Sequence, residues 1–164
     1  MTTTQGPRDK KNIILLLQSR DPDDFSETAL CEWMDHDDAE VRDWATFTLG
    51  VQTEKDSEAI RQALLLRACD SDFDTVSEAL LGLARRRDRR AIPILLDRLC
   101  SDNVGELDVQ AAGILADKLF VAPLQSLLDW WDEDTGLLER ALKQCCGESA
   151  EDGSLDDWVT ANDD

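Results

Sequence analysis

Asp35-His36-Asp37-Asp38-Ala39-Glu40-Val41-Arg42-Asp43-Trp44-Ala45 returns in altered form as Asp70-Ser71-Asp72-Phe73-Asp74-Thr75-Val76-Ser77-Glu78-Ala79-Leu80. Asp35, Asp37, Val41, Asp43 and Ala45 find counterparts in Asp70, Asp72, Val76, Glu78 and Leu80 at one constant step of 35 residues. A fixed period of roughly 20–50 residues is the signature of a stacked array, in which each unit buries its apolar face only against its neighbours. Such an array offers surface rather than a reaction centre.

Working outward, the chain alternates apolar helical stretches with short Asp, Ser, Gly and Pro punctuation. Strand signals are weak: there is no tyrosine and no sustained period-2 run of β-branched residues. The spacing predicts helices over Lys10–Ser19, Ser26–Met34, Ala39–Leu49, Glu58–Cys69, Asp74–Arg86, Ala91–Cys100, Glu106–Leu119, Pro123–Trp131 and Thr135–Cys146. Asp38 and Ser57 stand where a side-chain oxygen satisfies the first free N–H groups, and Gly50 stands where a helix ends. Pro93 and Pro123 recur near helix starts, where a missing N–H costs little. Gly82 and Gly113 fall inside helices, where glycine costs ~1 kcal/mol against alanine. Close approach of a neighbouring backbone is the expected compensation.

The predicted fold is all-α, a short right-handed solenoid of about four helix pairs over residues 10–147. A polar leader over residues 1–9 and an acidic tail over residues 148–164 flank it; Leu155, Trp158 and Val159 are the tail's candidates for docking. No segment reaches the ~20 apolar residues of a membrane span, and Ile13–Leu17 is shorter than a secretion signal's apolar core. A cytoplasmic protein is the expectation. Five cysteines without framework spacing argue against a disulfide scaffold. Cys31, Cys69 and Cys100 fall in apolar helical patterns and read as small buried hydrophobes; Cys145-Cys146 reads as a helix end.

Val41-Arg42-Asp43-Trp44-Ala45-Thr46-Phe47-Thr48-Leu49-Gly50, Ile60-Arg61 and Glu78-Ala79-Leu80-Leu81-Gly82-Leu83-Ala84-Arg85-Arg86 resemble bacterial HEAT-repeat proteins. They are similar in particular to the group likened to phycobilin lyase repeats, over about residues 24–146. The resemblance implies second helices lining a concave side, and a ladder of turn aspartate and following arginine between neighbours. Asp37 or Asp38 with Arg42 fits that ladder; Ser77 replaces the arginine in the second copy and predicts an interruption. A bilin-lyase-like role would need a tetrapyrrole pocket that no residue set marks, and no cofactor is expected. A HEAT-type nucleic-acid role, as in alkylpurine DNA glycosylases, would need a basic face.

Charge bears on that choice. Asp and Glu number 36 against 17 Lys and Arg, a formal net charge of −19 that repels phosphate backbones and anionic membranes. His36, the only histidine, sits in an Asp-rich turn that lacks metal-ligand or calcium-loop spacing, so caps and turns explain it and no metal is expected. No nucleophile–base arrangement or phosphate-cradling loop is legible, and no catalytic residue is assigned. The reading is therefore a non-enzymatic protein-binding module that shows a long acidic surface to a partner protein with a basic patch; an immunity or antitoxin role is one concrete version. A monomer is the default.

Candidate contacts are Arg42, Asp43, Thr46, Ser77, Glu78, Leu81, Arg85 and Gln110, with Arg86, Arg87 and Trp131 as secondary candidates. Arg85, Arg86, Arg87, Arg89 and Arg90 form one basic island. It reads either as cations at a helix C-terminus offset by carboxylates or as an anchor for an acidic or phosphorylated partner. Trp130 and Trp131 are adjacent, so one of them is a candidate exposed contact.

Overall fold

The computed structural model describes residues 9–131 and 135–147; the leader up to residue 8 and the tail from residue 148, with Leu155, Trp158 and Val159, lie outside the described residues. All the regular structure among the described residues is helical: α1 (Lys10–Ser19), α2 (Glu27–Met34), α3 (Ala39–Phe47), α4 (Glu58–Arg67), α5 (Phe73–Arg85), α6 (Ile92–Leu99), α7 (Glu106–Leu115), α8 (Val121–Leu127) and α9 (Thr135–Cys146). The helices start where oxygen-bearing side chains stand ready: Ser26, Asp38, Ser57 and Asp72 each accept from a first-turn N–H.

Four hairpins result, α2/α3, α4/α5, α6/α7 and α8/α9, and α1 packs on α3 ahead of them. The second helices α3, α5, α7 and α9 stack in sequence as one layer. They pack on one another more extensively than the first helices do. One continuous core runs between the layers, from Ile13 through Leu30, Leu49, Leu64, Leu80, Leu95 and Phe120 to Leu138. The expected solenoid of helix pairs is the observed architecture.

Three local differences have physical causes. Helix α3 does not run regularly to Leu49 but widens into a π turn over Thr48–Gln52. The helix expected over residues 106–119 breaks at Ala116, which takes the left-handed conformation at φ 51° and hands over to a single 3-10 turn capped by Asp117. Arg87 (φ 54°) with Asp88 makes the same joint before α6, so α5 and α7 are each closed by a left-handed residue followed by an aspartate cap. Cys69 and Cys100 are exposed rather than buried, because they stand at helix ends beyond the apolar stripe; Cys31 is half-buried and Cys145 buried.

Gly82 and Gly113 are where the layers close. A Cβ on Gly82 would lie 2.7 Å from the Gly50 Cα, and one on Gly113 would lie 3.2 Å from the Ala141 Cα. Neighbouring backbones approach so closely that only hydrogen fits at Gly82.

Candidate functional site

The inner layer brings the sequence-level candidates onto three consecutive helices, and it treats them very differently. Arg42 is half-buried and bridges to the next repeat: its Nε and Nη2 donate to the two carboxylate oxygens of Asp70 at 2.8 and 3.1 Å, and Nη1 donates to the His36 and Asp37 carbonyls. Asp70 also accepts from Arg67 at 3.0 Å, and the Arg42 guanidinium holds the Asp70 carboxyl at about 2. The aspartate of the inter-repeat rung is thus Asp70 of the following copy, not Asp37 or Asp38, whose turn lies on Arg42's own repeat.

At Ser77 the ladder is rerouted rather than left open. Arg98, at the end of α6, donates through Nη2 to the Ser77 hydroxyl at 2.7 Å and to Asp108 at 2.9 Å, and its guanidinium lies 4.3 Å from the Phe73 ring centre. Asp108 is fully buried; it also accepts from the Gly105 N–H at 3.0 Å, closing the start of α7. Sequence reasoning missed both residues. The signal was the equivalent placing of Arg67 and Arg98 in the last turns of α4 and α6, with an aspartate three residues into α7.

The basic island resolves toward its internal reading. The Arg86 side chain is 9% exposed, and its guanidinium donates to the carbonyls of Leu49, Gly50, Thr53, Lys55 and Gly82 at 2.6–3.3 Å. It fills the π turn and satisfies carbonyls that the widened helix leaves free. Arg85 donates to the Val51 carbonyl and to Glu54, while Arg87 donates to the Ile114 carbonyl of the next hairpin. Arg89 reaches Asp117 at 2.5 Å, and Arg90 reaches Asp88 and Glu58. Five arginines thereby join three successive hairpins.

Several proposed contacts are corrected on burial. Thr46, Ser77 and Leu81 are buried, the first two returning their hydroxyls to helix carbonyls at Arg42 and Phe73. Trp131 is 7% exposed and Arg86 is spent on the π turn; adjacent side chains project on opposite sides, so Trp130, 52% exposed, is the outward tryptophan. Trp44 is half-buried and meets Phe47 edge to face at 6.2 Å, packed on the core.

The charged residues that stay most accessible on α3, α5 and α7 are acidic. Glu40, Asp74 and Glu106 are exposed, Asp43, Glu78 and Gln110 half-buried. Asp43 and Glu78, equivalent positions of successive copies, lie near enough across α3 and α5 for each carboxyl to bear on the other. Burial first, then the neighbouring carboxylates, push the Asp43 carboxyl above its ordinary range and Glu78 up to about 9. At the turn end of the repeats an open groove of about 420 Å³ is lined by Asp35, His36, Arg42, Leu66, Arg67 and Asp70 among others. His36 Nδ1 there accepts from the Asp38 N–H at 3.0 Å, a turn role. Among the described residues no group of three or more His, Cys, Asp and Glu side chains is placed to hold a metal ion.

Stacked hairpins with an inter-repeat arginine–aspartate rung agree with a family model described as HEAT repeats, which matches residues 27–116. The chain belongs to the HEAT-repeat family. Within it, the chain is 30% identical over 95 residues to Protein YibA of Escherichia coli K12, and equally so to Protein YibA of Escherichia coli O157:H7. That stretch is 58% of this chain and 34% of either relative, so the likeness spans about a third of their length. The X-ray structure of Escherichia coli YibA superposes with a TM-score of 0.63 at 23% identity, covering 82% of this chain and 54% of that one, which fixes a shared HEAT-type fold. Among the described residues no helix is long and apolar enough to cross a membrane.

Proposed function

We propose that this HEAT-repeat chain is a non-enzymatic scaffold whose inner helical layer presents carboxylates to a basic protein partner. One observation carries the reading: the arginines of the repeats are committed to acceptors of their own chain, while carboxylates at the starts of α3, α5 and α7 are left exposed. Arg42, Arg67, Arg85, Arg86, Arg87, Arg89, Arg90 and Arg98 are all committed to carbonyls and carboxylates of the same chain. Among the described residues Glu40, Asp74 and Glu106 are left exposed. Glu40, Asp74 and Glu106 lie on three successive inner helices of a rigid stack, so a partner meets them as a row. Charges arranged in this way steer a cationic partner and fix its register, with a strong dependence on salt.

The same internal commitment speaks against the arginine island as a phosphate anchor, because each guanidinium would have to abandon partners within its own fold. The test is fluorescence anisotropy of a labelled Lys/Arg-rich peptide with the full chain, at low and high salt. Binding is expected at low salt, is lost at high salt, and weakens roughly thirtyfold in Asp74→Lys/Glu106→Lys, at about 1 kcal/mol per reversed charge. Binding that ignores both the reversal and the salt, or duplex DNA retained at physiological salt, would overturn the reading.

A further inference from the structure

Three second helices are closed by a left-handed residue, and two of those joints lead into a further first helix. Arg87 (φ 54°) is followed by α6 and Ala116 (φ 51°) by α8; Gly147 (φ 75°) closes α9, its N–H donating to Gln144 as that of Arg87 donates to Ala84. The residues beyond the joints share a register. An acid comes directly after each: Asp88, Asp117 and Glu148. Leu95 and Leu124 stand eight residues past Arg87 and Ala116, and both are fully buried. Leu127, eleven residues past Ala116, and Leu99, twelve past Arg87, are buried as well. Counted from Gly147, the same places hold Leu155, Trp158 and Val159. Ser154 and Asp157 supply the S-x-x-D pattern of a helix start at that point.

The last described repeat offers a surface for them. Of the five large apolar side chains left exposed among the described residues, Leu119, Leu128 and Trp130 belong to it; Leu15 lies on α1 at the other end, and only Leu66 in between. An end unit has no neighbour over its face and needs a cap with a polar outer side. Cations divide in the same way. Lys118, before α8, and Lys143, in the last turn of α9, are exposed and form no ion pair among the described residues. The Cys145 thiol donates to the Ala112 carbonyl at 3.5 Å and the turn Lys118–Phe120 packs on α9, so both lysines border the edge from which the chain leaves at Gly147. We propose that residues 154–159 form a further first helix that folds back on α8 and α9 and caps the solenoid. Leu155, Trp158 and Val159 cover the face around Leu128 and the half-buried Leu142, with Asp156 and Asp157 outward. Glu148, Glu151 and Asp152, in a stretch without a basic residue, meet Lys118 and Lys143. Eleven residues separate Gly147 from Trp158 and span up to ~36 Å, against ~10 Å between packed helices, so the fold-back is within reach.

The experiment is hydrogen exchange read by mass spectrometry on the full chain, with an isolated peptide of residues 148–164 as reference. Amides of residues 155–159 are expected to exchange at least roughly tenfold more slowly in the full chain than in the peptide. Leu155→Ser/Trp158→Ser should return them to the peptide's rate, and Lys118→Glu/Lys143→Glu should speed them severalfold. Exchange in α3 and α5 should stay unchanged in both variants, which separates loss of the cap from loss of the fold. Exchange at the peptide's rate in the unaltered chain would overturn the proposal, as would protection that survives either pair of substitutions. Protection that grows with protein concentration would overturn it too, because the segment would then lie on a second copy.

Discussion

The α3–α5 seam and the α7–α9 seam join the same kind of helix in opposite ways. The first is polar: the Arg42–Asp70 rung, the Arg86 clamp on five carbonyls and the Asp43–Glu78 pair surround the Gly50–Gly82 contact. The second is nearly dry: Ala111, Ala112 and Gly113 of α7 meet Leu138, Ala141 and Cys145 of α9, all buried. There the Cys145 thiol is pushed up to about 11 by its burial and donates to the Ala112 carbonyl at 3.5 Å. Small side chains let helices approach and gain by dispersion, whereas a widened helix exposes carbonyls that only a long donor can satisfy. The repeat therefore dictates that hairpins stack, and the residues at each seam decide which force holds them.

Arg86→Ala breaks this contrast most severely. It strips the donors from the carbonyls of Leu49, Gly50, Thr53, Lys55 and Gly82 and should cost about 2–4 kcal/mol in urea denaturation. Arg86→Lys should recover little, since one ammonium cannot span that fan of acceptors. A loss below about 1 kcal/mol would mean the clamp is dispensable.

The paired glycines sharpen the comparison. Gly82→Ala sets a methyl 2.7 Å from backbone and should cost about 1–3 kcal/mol despite its better helix propensity. Gly113→Ala first meets the movable end of the Gln144 side chain, then Ala141 at 3.2 Å, and should change stability by less than about 1 kcal/mol. Equal losses at both positions would erase the distinction between the seams.

Acid probes the Arg42–Asp70 rung. Asp70 is held at about 2, below its ordinary 3.8, so its contribution is full above the ordinary value and is lost as pH falls through 2. Carboxyl NMR should show Asp70 returning toward 3.8 in Arg42→Gln; an unmoved midpoint would assign the shift to another group. The smallest effect is expected at Ala116, whose left-handed backbone favours glycine: Ala116→Gly should stabilise by about 0.5–1 kcal/mol in the same urea assay, independently of either seam.

Much of the frame was legible in the chain. The spacing of Val41 and Val76, the caps at Asp38 and Ser57 and the interior glycines locate hairpins and close contacts, because backbone geometry and apolar periodicity act over a few residues. The break at Ala116 was not legible: alanine carries no preference for the left-handed region, and only the demands of the following turn impose it. Asp43, Glu78, Arg85 and Gln110 are indeed brought to the inner layer, but Thr46, Ser77, Leu81, Arg86 and Trp131 are withdrawn from it. On a helix the step from an exposed to a buried row is one residue, and the rotation of each helix depends on partners the local sequence does not contain.

The order of residues by itself determined a helical array, its register and its excess of carboxylate. Only the tertiary structure decided where the long side chains go. An arginine can swing its guanidinium to any acceptor within reach, and which acceptors lie there depends on how far one hairpin slides against the next. That offset is set by contacts such as Gly50 on Gly82, made between residues far apart in the chain. The arginines turned inward are a consequence of that packing, and the proposed function follows from it.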